Sequence, residues 1–505
     1  LRNRTSGRRS LRCLRRETVA GLIFLAALSL AIGTAVSSVQ VPNDGAGPPD
    51  GPPRRNGGGP GGGRPGGQGG LNPVELLGRT VFFDRNLSNP PGIACGSCHL
   101  PEAGFTYFDS AVNQKYGVVP GATPGRFGNR KPMTISYAWF VPEGPTAWRR
   151  RQQAWEGGFF ADGRASTLEA QAREPMVNPN EMDNTAHGLA SPDLVVRKVL
   201  GGSYTNLLTQ AYGDDATARP TATVFLLLRQ AIAAYEKSRD VSPFSSKYDA
   251  VAQGQAQFTQ SELNGLRLFT GSVTGRPGGA ANAKSAQCIT CHTISDSADR
   301  GRDFFTNWTF ANIGVPRNPR NPYYKQTRVA ADPQGFNPDG DKYVDLGLGG
   351  VLYPERQLPG GNLGPAGNGR GDFLEANGTF RVPSLRNVDK RPSPTFVKCY
   401  MHNGVFRSLK EVVHFYNTRN LTTRGEVIAL TSPTPYAGLK GKPVWPMPEV
   451  ASATTLQNPD GRPNSPRARV GNLGLTPGEE DDIVAFLGTL SDGYFTPARR
   501  RPPGN

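Results

Sequence analysis

The sequence predicts an all-α fold of two similar helical domains, threaded by long Gly/Pro-rich loops. Three observations predict it. Apolar residues recur at helical spacing in several segments, while no stretch alternates clearly as a strand does. A short pattern occurs twice: Leu77-Gly78-Arg79-Thr80-Val81-Phe82 and Asn264-Gly265-Leu266-Arg267-Leu268-Phe269 each set a glycine before an aromatic. Each copy is followed, after one loop, by a pentapeptide Cys-x-x-Cys-His: Cys95-Gly96-Ser97-Cys98-His99 and Cys288-Ile289-Thr290-Cys291-His292.

The elements follow in chain order. Residues 1–16 carry seven Arg and no acid, and an apolar run from Val19 to Val36 follows, closed by small residues. That is the layout of an export signal over 1–40, and the run is also long enough to anchor the chain in a bilayer. Residues 41–70 are almost all Gly, Pro and Arg, cannot bury a core, and read as a tether. A first domain is expected over 71–255 and a second over 256–495, with a basic tail at 496–505. Helices are expected at 166–174 and at 222–238, where Phe225, Leu228, Ile232 and Tyr235 keep helical spacing. Three more are expected at 261–270, 409–417 and 477–490. The last two open with capping boxes, Ser408 with Glu411 and Thr476 with Glu479, the second with Pro477 at the first helical position. Stretch 313–380 is Gly/Pro-rich and reads mostly as loop.

The repeated pentapeptide carries chemistry. Two thiols at this spacing add across the two vinyl groups of one porphyrin, and the adjacent histidine becomes an axial iron ligand. The competing reading, two structural zinc sites, needs a second ligand pair near each motif, and none is there. Two covalent c-type haems are therefore expected on Cys95, Cys98, His99 and on Cys288, Cys291, His292. Of six Cys, only Cys13 and Cys399 remain, and Cys13 lies before the apolar run. Of five His, only His187, His402 and His414 remain. Export agrees with c-type haem, which bacteria attach outside the cytoplasmic membrane. The formal net charge is +16, of which residues 1–70 supply +7. A basic body suits an acidic partner; no motif supports nucleic-acid binding, and membrane contact is expected only through the N-terminal segment.

An iron with one histidine has a second axial position. If filled, the haem passes electrons; if open, it can bind peroxide. An open haem needs an acid–base group to move a proton between the peroxide oxygens. Stretch 167–182 offers Gln171, Glu174 and Glu181. In helix 409–417, Tyr416 shares a face with Val412 and Val413, whereas His414 shares one with Lys410 on the side read as exposed. Tyr416 also reads as an ordinary core tyrosine, and His402, in a turn, as a ligand, a propionate contact or a loop residue.

Several ordered segments extend the pattern: Leu77 to Asp84, Gly104-Phe105-Thr106, Asp162-Gly163-Arg164-Ala165, Thr167 to Gln171, Asn178-Pro179-Asn180-Glu181-Met182, Val382 to Val388, Tyr400-Met401-His402-Asn403-Gly404 and Leu409 to Asn417. Through them residues 75–490 resemble the bacterial dihaem cytochrome c peroxidase family, including its MauG-like branch. The resemblance implies a peroxidatic haem on His99, with Gln171, Pro175 and Glu181 in its distal pocket and Glu181 as acid–base. It implies an electron-entry haem on His292, whose distal ligand is Met in peroxidases and Tyr in MauG-like members. Tyr416 matches the tyrosine, with Met401 the weaker contender. It also implies an inter-domain calcium ion, whose carbonyl positions fall on Val397 and Cys399 and whose Asn lies near Asn129.

There are departures. No His lies between His99 and His187, where many peroxidases hold an inhibitory ligand. The tryptophan usual between the haems is Ala161, with Phe160 and Trp155 as candidate substitutes, and a common His is Ala311. The reading is a peroxidase that reduces hydrogen peroxide with electrons from cytochrome c or another small donor protein. The alternatives are MauG-like, peroxide-dependent oxidation of a partner protein and a non-enzymatic electron-transfer cytochrome.

Overall fold

Two glycines set the frame of the molecule. The computed structural model describes residues 70–149, 154–186, 189–271, 284–294, 303–326, 337, 339–354, 376–419, 445–446, 448–450 and 470–495. The expected export segment 1–40, the tether up to residue 69, the tail 496–505 and His187 lie outside them. Every described residue belongs to one unit, Gly51–Asn505.

Among the described residues, eight helices have eight residues or more. They are α1 (Pro73–Phe83), α2 (Leu168–Val177), α3 (Pro192–Leu200), α4 (Thr205–Tyr212), α5 (Thr221–Lys237), α6 (Gln260–Thr270), α7 (Leu409–Thr418) and α8 (Pro477–Gly488). Local chemistry starts most of them. Asn72 with Glu75, Thr259 with Glu262, Ser408 with Glu411 and Thr476 with Glu479 form reciprocal capping boxes on α1, α6, α7 and α8. The internal repeat falls on α1 and α6. Gly78 lies against the Ala231 carbonyl of α5, and Gly265 against the Asp482 carbonyl of α8, each so closely that a Cβ would collide with backbone. Each half thus has a helix crossing notched by one glycine.

Three two-stranded antiparallel sheets accompany the helices: β1 (Ala147–Arg149) with β2 (Ala154–Glu156), β3 (Thr185–Ala186) with β4 (Leu189–Ala190), and β5 (Phe310–Ala311) with β6 (Phe380–Arg381). The fold is helix-dominated rather than purely α. Strands of two or three residues are too short to show alternation. Helix 166–174 also differs: α2 runs through Pro175 to Val177. Proline has no N–H to return to the Gln171 carbonyl, yet the turn continues.

Two apolar cores result. One gathers Leu77, Val81 and Phe82 of α1 with α3, α4 and α5, and the other gathers Leu266 and Phe269 of α6 with Phe415 of α7 and Ile483 and Phe486 of α8. Polar ties join them. The Tyr137 hydroxyl donates to Asp492 at 2.9 Å, and the Asn387 amide donates to Asp492 at 2.8 Å and to the Ser136 hydroxyl at 3.1 Å. Among the described residues, no helix is long and apolar enough to cross a membrane.

Candidate functional site

The two pentapeptides adopt matching local geometry. Cys95–Cys98 form one helical turn, and the His99 amide donates to the Cys95 carbonyl at 2.9 Å. Cys288–Thr290 form a tighter turn, and the His292 amide donates to the Cys288 carbonyl, also at 2.9 Å. Both turns put the two thiols and the imidazole on one side. The His99 Nδ1 lies 3.0 Å from the Phe105 carbonyl, and the His292 Nδ1 lies 2.9 Å from the Phe305 carbonyl. Phe105 and Phe305 each hold a left-handed backbone, with φ of 57° and 54°, which costs energy for a bulky residue. A carbonyl on Nδ1 fixes the tautomer and leaves Nε2 with its lone pair. Burial lowers both imidazoles to about 4, so both are neutral at pH 7. None of the four motif cysteines is in a disulfide, and burial pushes the Cys95 and Cys288 thiols up to about 12. Two thiols and a neutral, oriented imidazole fit a c-type haem at each site.

Among the distal residues singled out in the sequence, Glu181 lies close to the first motif, and Gln171 and Pro175 are on the helix that precedes it. Gln171 and Pro175 sit one turn apart on α2. The Pro175 carbonyl accepts the Met182 amide at 3.1 Å, and the Glu181 amide donates to the Asn178 carbonyl at 3.0 Å. This tight return carries Glu181 back to the motif, where its charge acts on both Cys98 and Cys95. Burial raises the Glu181 carboxyl, Arg164 opposes this, and Glu174 adds to it. Glu174 itself pairs with Arg173 at 2.7 Å near the surface and is not part of the group.

Glu236 is a carboxylate that the sequence reading passed over. It is buried near the end of α5, its charge acts on Cys95, and burial lifts it to about 8. Its Oε2 has no hydrogen-bond partner. A signal was present: Glu236 follows Ile232 by four residues, on the apolar face of that helix.

At the second site, Tyr416 lies near enough to the motif to feel its sulfurs. Burial, then the Cys291 and Cys288 sulfurs, push its phenol well above its ordinary range. Met401 packs against the same core with a left-handed backbone, φ 67°. His402 stacks on Phe380, with ring centroids 3.6 Å apart, and burial lowers it to about 4. The face bearing His414 and Lys410 is not exposed as read. It packs on α8, where buried Glu480 accepts His414 Nδ1 at 2.8 Å, Asn417 at 2.7 Å and Lys410 at 3.2 Å. Helix periodicity separates two faces but does not say that a second helix will cover the polar one.

Between the halves, Ala161 is buried, and its carbonyl accepts the Arg381 amide at 2.8 Å. Phe160 beside it is covered by the Arg164 guanidinium, 3.5 Å from the ring centroid. Trp155 is buried edge-on to Trp148 at 5.6 Å.

Of the two carbonyls implied for calcium, that of Val397 accepts a side-chain hydrogen bond, from the Asn113 amide at 2.9 Å. The Cys399 thiol donates to the Asn113 carbonyl at 3.2 Å. Asn129 donates to the Tyr343 hydroxyl at 2.9 Å, and Arg130 binds Asp162 and Asp345. Between Val397 and Cys399, buried Lys398 directs its ammonium to the carbonyls of Ala103, Asn387 and Lys390 at 2.9, 2.9 and 3.0 Å. The acids beside Asn129 thus hold Arg130, and the Lys398 ammonium fills the adjoining carbonyl cage. Among the described residues, no group of three or more His, Cys, Asp or Glu is arranged to hold a metal.

Comparison with known proteins agrees with this geometry. Residues 73–257 match the family described as di-haem cytochrome c peroxidase. The chain is 31% identical over 428 residues to methylamine utilization protein MauG of Paracoccus denitrificans, covering 84% of this chain and 90% of that protein. It is 26% identical over 421 residues to cytochrome-c peroxidase IdrP1 of Denitromonas iodatirespirans, covering 82% and 80%. Among solved structures, the diheme peroxidase BthA of Burkholderia thailandensis aligns with a TM-score of 0.59 at 30% identity, covering 84% of this chain and 87% of that one.

Proposed function

Since the chain belongs to the di-haem cytochrome c peroxidase family, a family of oxidoreductases, we propose that it reduces hydrogen peroxide to water in the periplasm. Each turnover consumes one peroxide, two protons and two electrons and yields two waters, with the electrons drawn from cytochrome c or another small exported donor. The observation that carries this reading is the turn that brings Glu181 close enough for its charge to act on Cys95 and Cys98, with its proton affinity raised by burial.

The haems supply iron that binds peroxide and stores oxidising equivalents; the chain's own residues do the rest. His99 and His292 each present Nε2, held by the carbonyl on Nδ1. Glu181 takes the proton from the near oxygen of bound peroxide and returns it to the far oxygen, so that water leaves. A raised carboxyl suits this, because burial makes it hold a proton more readily than an exposed glutamate does. Gln171 orients peroxide or the departing water. Pro175 leaves its own carbonyl to the Met182 amide and so fixes the return that carries Glu181.

Tyr416 is the axial candidate on the second haem, supported by its exposure to Cys288 and Cys291, with Met401 as the alternative. We assign 71–255 to the peroxidatic domain and 256–495 to the electron-entry domain, in line with the two cores. The Arg-rich start and apolar run support export. A second reading, peroxide-dependent oxidation of a partner protein, is favoured by Tyr416 and by the similarity to MauG over nine-tenths of that protein.

Stopped-flow spectra separate the two. The as-isolated protein is mixed with stoichiometric peroxide and then with reduced cytochrome c. A peroxidase yields an oxidised species that reduced cytochrome c quenches within the turnover time. A species that persists in its presence supports the second reading, and no spectral response to peroxide rejects both.

A further inference from the structure

Arg381 is a buried cation without a counter-charge. It is 5% exposed. Its Nε donates to the Phe160 carbonyl at 3.1 Å, and its Nη2 donates to the Gly157 and Gly158 carbonyls. Its Nη1 has no hydrogen-bond partner, and among the described residues no carboxylate forms an ion pair with it. Asp162 is the nearest acid acting on it, but that carboxylate is held by Arg130 at 2.5 Å and Arg164 at 2.9 Å. Burial lowers the guanidinium to about 9, even against the opposing pull of Asp162. An unpaired buried charge costs several kcal/mol, so such a group is found where an anion completes it.

A second orphan lies beside it. Trp155 is 8% exposed, and its Nε1 has no partner. The two side chains share one neighbour: the Arg381 guanidinium sits 4.9 Å over the Phe310 ring, and Trp155 packs in the same small cluster as Phe310. The Arg381 acceptors Gly157 and Gly158 follow Trp155 by two and three residues. Two donors without an acceptor, one of them charged, therefore border the same buried ring. The complementary group is a carboxylate.

The backbone ties this spot to the second pentapeptide. Arg381 pairs with Phe310 across β5 and β6. The Val382 amide donates to the Thr309 carbonyl at 2.8 Å, and the Val382 carbonyl accepts the Thr306 hydroxyl at 2.7 Å. The next carbonyl, that of Pro383, acts on the His292 imidazole. A porphyrin fixed through Cys288, Cys291 and His292 brings two carboxylates into this neighbourhood.

We propose that Arg381 and Trp155 bind a propionate of the haem carried on His292, with Arg381 supplying its buried counter-charge. The assignment rests on the reading of two covalent haems. Arg381 is then a positioning residue: its charge stabilises the reduced, less positive iron and so raises the potential of that haem alone.

The test uses the full haem-loaded protein. Pyridine haemochrome absorbance first counts haems per chain, and spectroelectrochemistry then measures both midpoint potentials in phosphate-free buffer. Arg381→Gln lowers the midpoint of the second haem and leaves the first unmoved. Trp155→Phe moves the same haem in the same direction by less, and Arg381→Lys restores most of the loss. If Arg381→Gln loses its haem, Trp155→Phe and Arg381→Lys decide. Two haems with both midpoints unmoved in every variant overturn the assignment and leave the peroxidase reading intact. A shift confined to the first haem, or one that appears only when phosphate is added, also overturns it. Fewer than two haems in the unmodified protein sinks the function and this assignment together.

Discussion

Arg386 grips Asp249 through both guanidinium arms, each at 2.8 Å, with the arginine fully buried and its Nε on the Asp303 carbonyl. Arg386 also lies over the rings of Tyr137 and Phe244. Removing one partner strands the other charge inside. Asp249→Asn or Arg386→Met is therefore expected to cost about 3–5 kcal/mol, read as a lower urea midpoint. The pH dependence has a definite sign. The arginine holds the Asp249 carboxyl below its ordinary range against the opposing effect of burial. Its stabilisation is thus present at neutral pH and lost as pH falls through the depressed folded value. Asp249→Asn should flatten the acid limb of the stability curve.

Glu181→Gln keeps the shape of the side chain and removes its proton chemistry. Peroxide turnover is expected to fall about 10²- to 10⁴-fold, with both haem optical spectra unchanged. Turnover within threefold of the parent would reject the acid–base role.

Tyr416→Met exchanges a phenol for a thioether. If Tyr416 is the axial ligand, the second haem's midpoint rises, because phenolate favours the oxidised iron, and its absorption spectrum changes while that of the first haem does not. Spectral identity with the parent would hand the axial position to Met401.

Gly78→Val and Gly265→Val test the duplicated helix crossing. Each forces a side chain against the facing carbonyl, so each is expected to destabilise by about 3 kcal/mol. Urea denaturation monitored by circular dichroism checks both; a loss in only one would mean that the crossings are not equivalent.

Lys398→Met removes the ammonium from three buried carbonyls. Each orphaned carbonyl costs about 1–3 kcal/mol, so the thermal midpoint is expected to drop sharply. Because the ammonium fills the cage, prolonged chelator treatment of the parent protein is expected to leave its midpoint where it was. A fall on chelation that added calcium reverses would show that a metal binds at this junction after all.

Local chemistry made much of this molecule legible. The capping boxes at Ser408 and Thr476 and the periodic runs announce α5, α6, α7 and α8 before any folding, whereas α1, with its box at Asn72, is not among the expected helices; the pentapeptides announce their own chemistry. Glu181 was readable because its segment matched a known pattern. Helices α3 and α4 went unread, being short, although Val195, Val196 and Val199 mark a buried stripe on α3. The β5–β6 pair was hidden for another reason. Its strands are two residues each and join positions about seventy residues apart in the chain, and nothing local encodes such a pairing. Lys398, Arg381 and the covered face of His414 belong to the same class. Their meaning depends on which distant backbone arrives beside them.

The two phenylalanine carbonyls that hold His99 and His292 make the proximal sides near copies, down to the left-handed backbone and the depressed imidazoles. Duplicated parts supply a built-in control. Under the proposed function, what makes one iron reactive and the other conductive would be written on the opposite faces, by Glu181 and Gln171 on one side and Tyr416 on the other. Specialisation of the pair then needs only a few distal substitutions, and exchanging those residues between halves should move the labour from one haem to the other without rebuilding either pocket.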